Sequence, residues 1–308
     1  MAVTIDKPLS RADVRRLTDQ RLKPNLLKIP LFLAIMAALN WLAWTTPSTA
    51  LKWSAYVAIG YMWMGMVTFM HEAGHNTLFR SSWANWVFGI ACMIPLMATF
   101  VGFKEDHLEH HRHNRSPKDP DAFTMGKRGI LDFVVFYLYM VIGVVLSFLH
   151  FNIIYPVTRF GPREWAIHLF ETVLTIACYW ALIAWAMANG VLGKTLELWL
   201  VPVYIFTLFN SVRFIAEHYG TPWDAGQLAG TRTIISNGFN RFFWNNINWH
   251  IGHHVYPAVP WYNLEELHRL MEPSIEARGA LVDKSYLAVF MRALAGGPET
   301  EERLAASL

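Results

Sequence analysis

The composition of this 308-residue chain is that of a membrane protein: hydrophobic residues make up 54%, charged residues make up 16%, and the mean hydropathy is +0.25. A water-soluble domain carries about 25% charged residues, so this chain has too few charges to cover a surface that faces water. The net charge of +3 gives no indication of nucleic-acid binding.

The chain begins with a polar, basic arm, predicted over residues 1–28. Its cationic residues are Lys7, Arg11, Arg15, Arg16, Arg21, Lys23 and Lys28. Because the first apolar run starts only near Ile29, the arm does not have the layout of a cleavable signal peptide. We therefore expect a cytoplasmic arm that leads into a membrane domain over 29–291, followed by a polar tail over 292–308.

Long apolar runs follow the arm, and several reach the roughly 20 residues that a helix needs to cross the hydrocarbon core of a bilayer. Four runs are predicted to be membrane-spanning helices. They lie at about 29–46, 52–70, 166–189 and 197–216. Pro47 breaks the first helix, so the first two spans are expected to form a hairpin.

The distribution of Lys and Arg orients these spans. Both residue types are dense in 1–28, 104–128 and 159–163. The turns near 46–52 and 190–197 hold only one such residue each. Since cytoplasmic loops carry an excess of Lys and Arg, the two sparse turns are expected outside and both termini in the cytoplasm.

Two further apolar runs, 84–103 and 131–155, are not assigned as spans. Gly89 and Pro95 interrupt the first of them. If both runs crossed the membrane as simple spans, the histidine clusters described next would not all reach one side, so we expect interfacial or partly re-entrant helices. The predicted fold is an all-α integral membrane protein with four transmembrane helices and a cytoplasmic helical cap.

Histidine placement carries the strongest functional signal. Of the 13 histidines, nine fall in three short clusters and at one further position, each beside an apolar run. They are His71, His75, His107, His110, His111, His218, His250, His253 and His254. Spacings of i, i+3 and i+4 place the side chains of each cluster on one face of a helix. We interpret these nine as metal ligands, and His150, His168 and His268 as structural.

The number of imidazoles favours two metal ions. One ion binds about four to six ligands, and nine exceed that number. Imidazole binds iron, zinc and copper alike, so the spacing does not name the metal. Ligating histidines usually donate their second N–H to a carboxylate or carbonyl. The neighbouring acids, which either orient the histidines or face solvent, are Glu72, Asp106, Glu109 and Glu217.

A zinc protease is the alternative from a different enzyme class. His71-Glu72-x-x-His75 matches the signature in which two histidines hold zinc and the glutamate is the general base. Such an enzyme needs only one more ligand and a water, which leaves the two His-x-x-His-His clusters without a role. The number of ligands therefore favours the interpretation with two metal ions.

Three segments resemble the histidine boxes of the membrane fatty acid desaturase/hydroxylase superfamily. They read HEAGHNTLF over 71–79, HLEHHRHNRSPKDPD over 107–121 and NWHIGHHVYPAVPWYNLEELH over 248–268. RFIAEH over 213–218 resembles the additional histidine site of that superfamily. The resemblance implies that the nine histidines bind two iron ions. Some members carry an asparagine four residues before the lone histidine, and here that position is Phe214.

The resemblance also implies an activity. Removing hydrogen from an unactivated methylene group needs an oxidant that no side chain supplies. The superfamily uses O2, two irons and two electrons from an external donor, either of the ferredoxin type or of the cytochrome b5 type with its reductase. Desaturation or hydroxylation of a fatty acyl chain in a membrane lipid is the leading expectation. A carotenoid ketolase or hydroxylase is the alternative, because those enzymes share the histidine pattern.

Overall fold

The computed structural model describes residues 8–121 and 130–299, whose regular secondary structure is almost all helical. In chain order the α-helices are α1 (Arg11–Leu17), α2 (Leu22–Thr45), α3 (Thr49–Gly74), α4 (Ser82–Met93), α5 (Phe100–His113), α6 (Ile130–Leu149), α7 (Tyr155–Arg159), α8 (Pro162–Ala188), α9 (Leu192–His218), α10 (Gly226–Ala229), α11 (Gly238–Phe243), α12 (His250–Val255), α13 (Leu264–Ala277) and α14 (Tyr286–Gly296). The only strands in these ranges, β1 (Thr233–Ile234) and β2 (Val282–Asp283), pair in parallel. The predicted all-α class is confirmed.

Local sequence signals set the turn of the first long hairpin. α2 ends at Thr45 and α3 begins at Thr49, with Pro47 between them. The side chain of Ser48 accepts a hydrogen bond from Leu51 N, which satisfies one of the free N–H groups at the start of α3. The hairpin expected from the sequence is therefore present.

Four helical segments are long and apolar enough to cross a membrane. They are Arg11–Thr45, Ile130–Arg159, Pro162–Ala188 and Leu192–His218. Their number agrees with the prediction, but one member differs. The segment over 130–159, expected to lie at the interface, has the length and apolarity of a span, whereas α3, which contains the predicted span over 52–70, is not among the four.

Composition accounts for this difference, and burial goes with it. α3 has 26 residues, but its glycine, threonine, tyrosine and tryptophan residues reduce its apolarity, and much of its surface is buried within the protein. The helical segment over 130–159 instead exposes large apolar side chains, such as Leu131, Val141 and Val145. A helix that faces lipid needs an apolar surface all round, whereas a helix enclosed by other helices does not.

The apolar run over 84–103 forms two helices rather than one. α4 continues into a 3₁₀ turn, and the axis of α5 then differs in direction by 105°. Met97 at the bend has a left-handed backbone conformation, with φ of 56°. A break of this kind occurs in a broken span or a re-entrant segment, in keeping with the expectation for this run.

α9 packs against α3, α6 and α14, and α3 packs in turn against α2. Two glycines in α3 allow its neighbours to come close. A Cβ on Gly60 would lie 2.7 Å from Cγ2 of Ile205, and one on Gly65 would overlap the carbonyl oxygen of Phe243. This close packing determines where the histidine-bearing ends of α3 and α9 lie.

The N-terminal arm packs onto the C-terminal half of the chain. Leu9 N donates a hydrogen bond to Tyr256 Oη at 3.0 Å, and Asn263 Nδ2 donates to the carbonyl oxygen of Leu17 at 2.7 Å. α2 begins within the predicted arm, and α14 includes the first residues of the predicted tail. Residues 1–7 and 300–308 of these two segments lie outside the described residues.

Candidate metal centre

The nine predicted ligand histidines come together in one mostly buried cluster. Four helices bring them there: α3 carries the first pair, α5 the second cluster, α9 the lone histidine at its end, and α12 the third cluster. Because α3 and α9 pack against each other, their histidine-bearing ends meet. α5 and α12 add their imidazoles to this point of contact.

The imidazoles form two groups, and the potential ligand nitrogens within each group lie within 4.8 Å of one another. The first group consists of His71, His75, His107, His111 and His253. The second group consists of His110, His218 and His254. His250 lies beside the second group, since its Nε2 is 3.1 Å from Nε2 of His218. With His250 included, each group offers enough nitrogen donors for one metal ion.

The His-x-x-His-His spacing accounts for this division. On α5, His107 and His111 belong to the first group, whereas His110 belongs to the second. On α12, His253 and His254 are divided in the same way. Successive residues of a helix point about 100° apart, so two consecutive histidines can serve two different groups from one helix.

Several ring nitrogens of the cluster lack an ordinary partner. Nε2 of His75 lies 2.9 Å from Nε2 of His107, so each faces another imidazole. Both nitrogens of His71 and Nε2 of His254 are buried without a hydrogen-bond partner among the described residues. Buried polar groups are normally paired. Unpaired imidazole nitrogens inside each group therefore fit the donor set of a bound metal ion.

Two hydrogen bonds determine which nitrogen of an imidazole is left for a metal. Asp119 Oδ1 accepts from His110 Nδ1 at 2.9 Å, and Gln227 Oε1 accepts from His254 Nδ1 at 3.0 Å. Because both partners act as acceptors, Nδ1 carries a proton in each ring, and Nε2 is the nitrogen that is left for a metal. Gln227 also donates through Nε2 to the carbonyl oxygen of His111, so it contacts histidines of both groups.

The third cluster is held in the protonation state that binds metals. Burial lowers the pKa of His253 and of His254 well below the ordinary value of 6.5, and nearby imidazoles lower it further. Neutral imidazole has a free lone pair, whereas imidazolium has none. At neutral pH both side chains are therefore available to a cation.

Comparison with known proteins agrees with this geometry. A family model described as Fatty acid desaturase matches residues 47–286. The chain belongs to this family. Membership extends from the first hairpin to the start of α14, so it includes all four helices that carry the histidines.

Named relatives of this desaturase-family protein are themselves desaturases. The sn-1 oleoyl-lipid 12-desaturase of Arthrospira platensis is 25% identical over 75% of this chain and 71% of its own length. The chloroplastic omega-3 fatty acid desaturase of Glycine max is 23% identical over 76% of this chain and 55% of its own. The sphingolipid delta(4)-desaturase DES1 of Drosophila melanogaster is 26% identical over 71% of this chain and 67% of its own. The chain thus spans between 55% and 71% of the length of these relatives.

Asp106 and Glu109, two of the acids expected to orient ligands, bind other side chains. Asp106 Oδ1 lies 2.7 Å from His150 Nε2, and Glu109 Oε2 accepts from Tyr155 Oη at 2.7 Å. Neither acid hydrogen-bonds a predicted ligand among the described residues. His150, interpreted from the sequence as structural, is thus in contact with the helix that carries the second cluster.

Glu72 is buried and held by two donors. Its Oε2 accepts from Trp261 N at 2.9 Å and from Thr77 Oγ1 at 2.8 Å. A zinc protease needs this carboxylate as its general base, but here it connects α3 to the segment that follows α12. Together with the family membership, this arrangement leaves the protease alternative without support.

Glu217 lies near a predicted ligand. Its Oε2 is 3.7 Å from His250 Nε2 and 3.4 Å from Arg213 Nε. All three side chains are buried. An orienting role for Glu217 remains a prediction, whereas Asp119 and Gln227 supply the hydrogen bonds described above.

The sequence did not identify these two supporting side chains. Asp119 belongs to the segment that resembles the second histidine box, but no helical periodicity connects it to His110, nine residues earlier. Gln227 lies in α10, a short helix without a motif. Each becomes a partner of a histidine only because separate segments pack together, and no spacing rule expresses that.

A cavity of about 300 Å³ lies beside the histidines. Its wall includes His71 and His107 of the first group and His218 of the second group. Most of the remaining wall consists of apolar side chains from α3, α6, α9 and the bend before α5. An apolar space with a few polar groups at one side suits the hydrocarbon part of a lipid.

Proposed function

We propose that this protein uses O2 and two iron ions to oxidise an unactivated C–H bond of a membrane lipid, and that its product is a desaturated fatty acyl chain. The observation that carries the proposal is the apolar cavity beside two adjacent histidine groups. The names of the relatives, which specify an oleoyl lipid, a fatty acid and a sphingolipid, support a lipid as the substrate.

Two bound iron ions would supply the activation of O2 and the oxidising power for C–H cleavage, which no side chain has. The first histidine group would hold one ion, and the second group with His250 would hold the other. Asp119 and Gln227 keep the proton on Nδ1 of their histidines, so Nε2 stays available in each ring. These contacts hold the rings in place.

Apolar side chains of the cavity would position the hydrocarbon and keep water from the reacting carbon. Met70 on α3 and Phe206 on α9 are buried and line this space. Exclusion of water suppresses side reactions of a strong oxidant. The choice between an alkene and an alcohol as the product then depends on how the carbon is held against the centre.

Two electrons per turnover would come from an external donor of the ferredoxin type or of the cytochrome b5 type. From the positive-inside rule we expect the termini and the histidine centre on the cytoplasmic side. The donor would therefore approach from the cytoplasm, where such carriers and their reductases are available.

Metal analysis of the purified protein and lipid profiling of expressing cells test the proposal. We expect about two iron ions per chain and host lipids that have lost two hydrogens. His253→Ala should abolish the product and lower the iron content, because it removes a nitrogen from the first group. His113→Ala is the matched control, since His113 lies on α5 outside both groups, and it should retain both properties.

Zinc without iron, or an unchanged lipid profile when the electron donor is present, would contradict the proposal. A lipid that gains one oxygen would identify hydroxylation instead of desaturation. An oxidised carotenoid would identify the alternative substrate class.

A further inference from the structure

Three polar side chains of α9 line the otherwise largely apolar cavity at successive turns of the helix. They are Asn210, Arg213 and Glu217. Spacings of three and four residues place them on one face, and the row ends next to His218. Val67 and Val144 are among the apolar residues of the wall.

Arg213 has buried N–H groups without a partner. Only 8% of the residue is exposed, and Nε and Nη1 have no hydrogen-bond partner among the described residues. Its ion-pair contact is with Glu217, whose Oε2 lies 3.4 Å from Nε. Oε1 of Glu217 is also buried without a hydrogen-bond partner in the described part of the chain. Leaving the donors of a buried cation unpaired is unfavourable, so these N–H groups indicate a ligand with oxygen acceptors.

The position of Arg213 relates this ligand to the histidine centre. Glu217 Oε2 contacts Arg213 Nε on one side and lies 3.7 Å from His250 Nε2 on the other. A group bound to Arg213 is therefore separated from a predicted iron ligand by a single carboxylate. A carbon of the same ligand that lies against the centre would then be near that group along the chain.

We propose that Arg213, together with Asn210, forms a subsite for an oxygen-bearing group of the lipid substrate, a carboxylate or a carbonyl, and that this subsite determines which carbon is oxidised. The inference rests on the proposed function, because it takes the cavity as the substrate site. The planar guanidinium matches a carboxylate with two parallel hydrogen bonds, and it can also donate to a carbonyl oxygen. The oxidised carbon would lie close to the polar group and not in the middle of a long chain.

Binding of three matched probes to the full-length protein in nanodiscs tests the subsite. The probes are oleic acid, methyl oleate and the hydrocarbon of equal chain length. The affinity of each probe is measured by its displacement of a fluorescent lipid from the cavity. The parent protein should bind the acid or the ester at least about tenfold more tightly than the hydrocarbon. Arg213→Met should remove this difference and leave the affinity for the hydrocarbon within about twofold of its parent value.

Two further variants separate recognition from folding. Asn210→Leu should reduce the same preference to a smaller extent, and it keeps the subsite testable if Arg213→Met does not fold. Arg241→Met is the matched control, because Arg241 pairs with Glu265 and does not line the cavity; it should bind all probes as the parent does.

The outcomes identify the recognised group. If only the acid loses affinity in Arg213→Met, the group is a carboxylate; if the ester loses affinity as well, it is a carbonyl. Equal affinities of the parent for all three probes, or an equal loss for all three in the variant, would overturn the subsite. Because binding is measured without turnover, this result is independent of whether the protein contains iron or desaturates a lipid.

Discussion

At the scale of single residues, the orientation of an imidazole depends on what its second nitrogen contacts. Asp119 Oδ1 accepts from His110 Nδ1 at 2.9 Å, and its Oδ2 accepts from Arg115 N at 2.7 Å. Both contacts are buried. Because a backbone donor holds the carboxylate, the carboxylate in turn holds the ring of His110.

Replacing Asp119 by alanine should therefore weaken metal binding. The change leaves Nδ1 of His110 buried without its acceptor and allows the other tautomer. Loss of such a partner typically reduces metal affinity by about ten- to hundredfold. Iron retained after dialysis against a chelator measures the effect.

The control for this experiment is Asp13→Ala, since Asp13 pairs with Ser10 and Arg16 in the region of α1 and contacts no predicted ligand. The control should retain as much iron as the parent protein. If the Asp119 variant also retains the parent's iron, the contact with His110 does not support the metal.

At the scale of helices, the approach of α3 to its neighbours determines where the first pair of histidines lies. A Cβ on Gly65 would overlap the carbonyl oxygen of Phe243 and the ring of Phe32. One of these groups is backbone and the other is a fully buried side chain. Neither can move without displacing α3 from the structure around it.

Gly65→Ala should destabilise the protein by about 1–3 kcal/mol, the usual range for overpacking, and should lower its iron content. Thermal unfolding of the detergent-solubilised protein measures the first effect. Gly193→Ala is the matched change in α9, where an added Cβ would meet no atom within 4 Å, and it should unfold at or above the parent's temperature. Equal unfolding temperatures for the two variants would refute the packing argument.

At the scale of the whole molecule, the C-terminal end of the described chain is tied to the segment that follows the second cluster. Glu299 accepts from Nη1 and Nη2 of Arg115 at 3.0 Å each, and from Gly220 N at 2.7 Å. Arg115 and Glu299 are both buried and lie 184 residues apart in the chain. Through Arg115 and Asp119 this contact reaches His110.

Glu299→Ala should lower the stability of the whole protein. Removing one partner of a buried ion pair typically costs about 3–5 kcal/mol, because the remaining charge loses its counter-ion. The unfolding temperature measures this effect, and Glu276→Ala at an exposed position of α13 should leave it unchanged. An unfolding temperature of Glu299→Ala equal to that of the control would show that the tail is not held by this pair.

The predicted and the observed helices agree where local features of the sequence set them. The hairpin at Pro47 follows from local chemistry, and so does the interruption of the run over 84–103. The exchange of 52–70 for 130–159 among the candidate spans also follows from length and composition, since the segment over 130–159 has the highest mean hydropathy of the four, 2.3. The burial of α3 among its neighbours, in contrast, is a property of packing, and the length of an apolar run does not reveal it.

For the site, the sequence by itself determined which histidines share a helix face, because spacings of three and four residues are a local consequence of helix geometry. The resemblance then identified the family. Only the tertiary structure divided consecutive histidines between two groups, brought Asp119 and Gln227 to them, and placed Arg213 in the cavity. These contacts join segments that are far apart in the chain, and their formation depends on how the helices pack and not on any spacing within one helix.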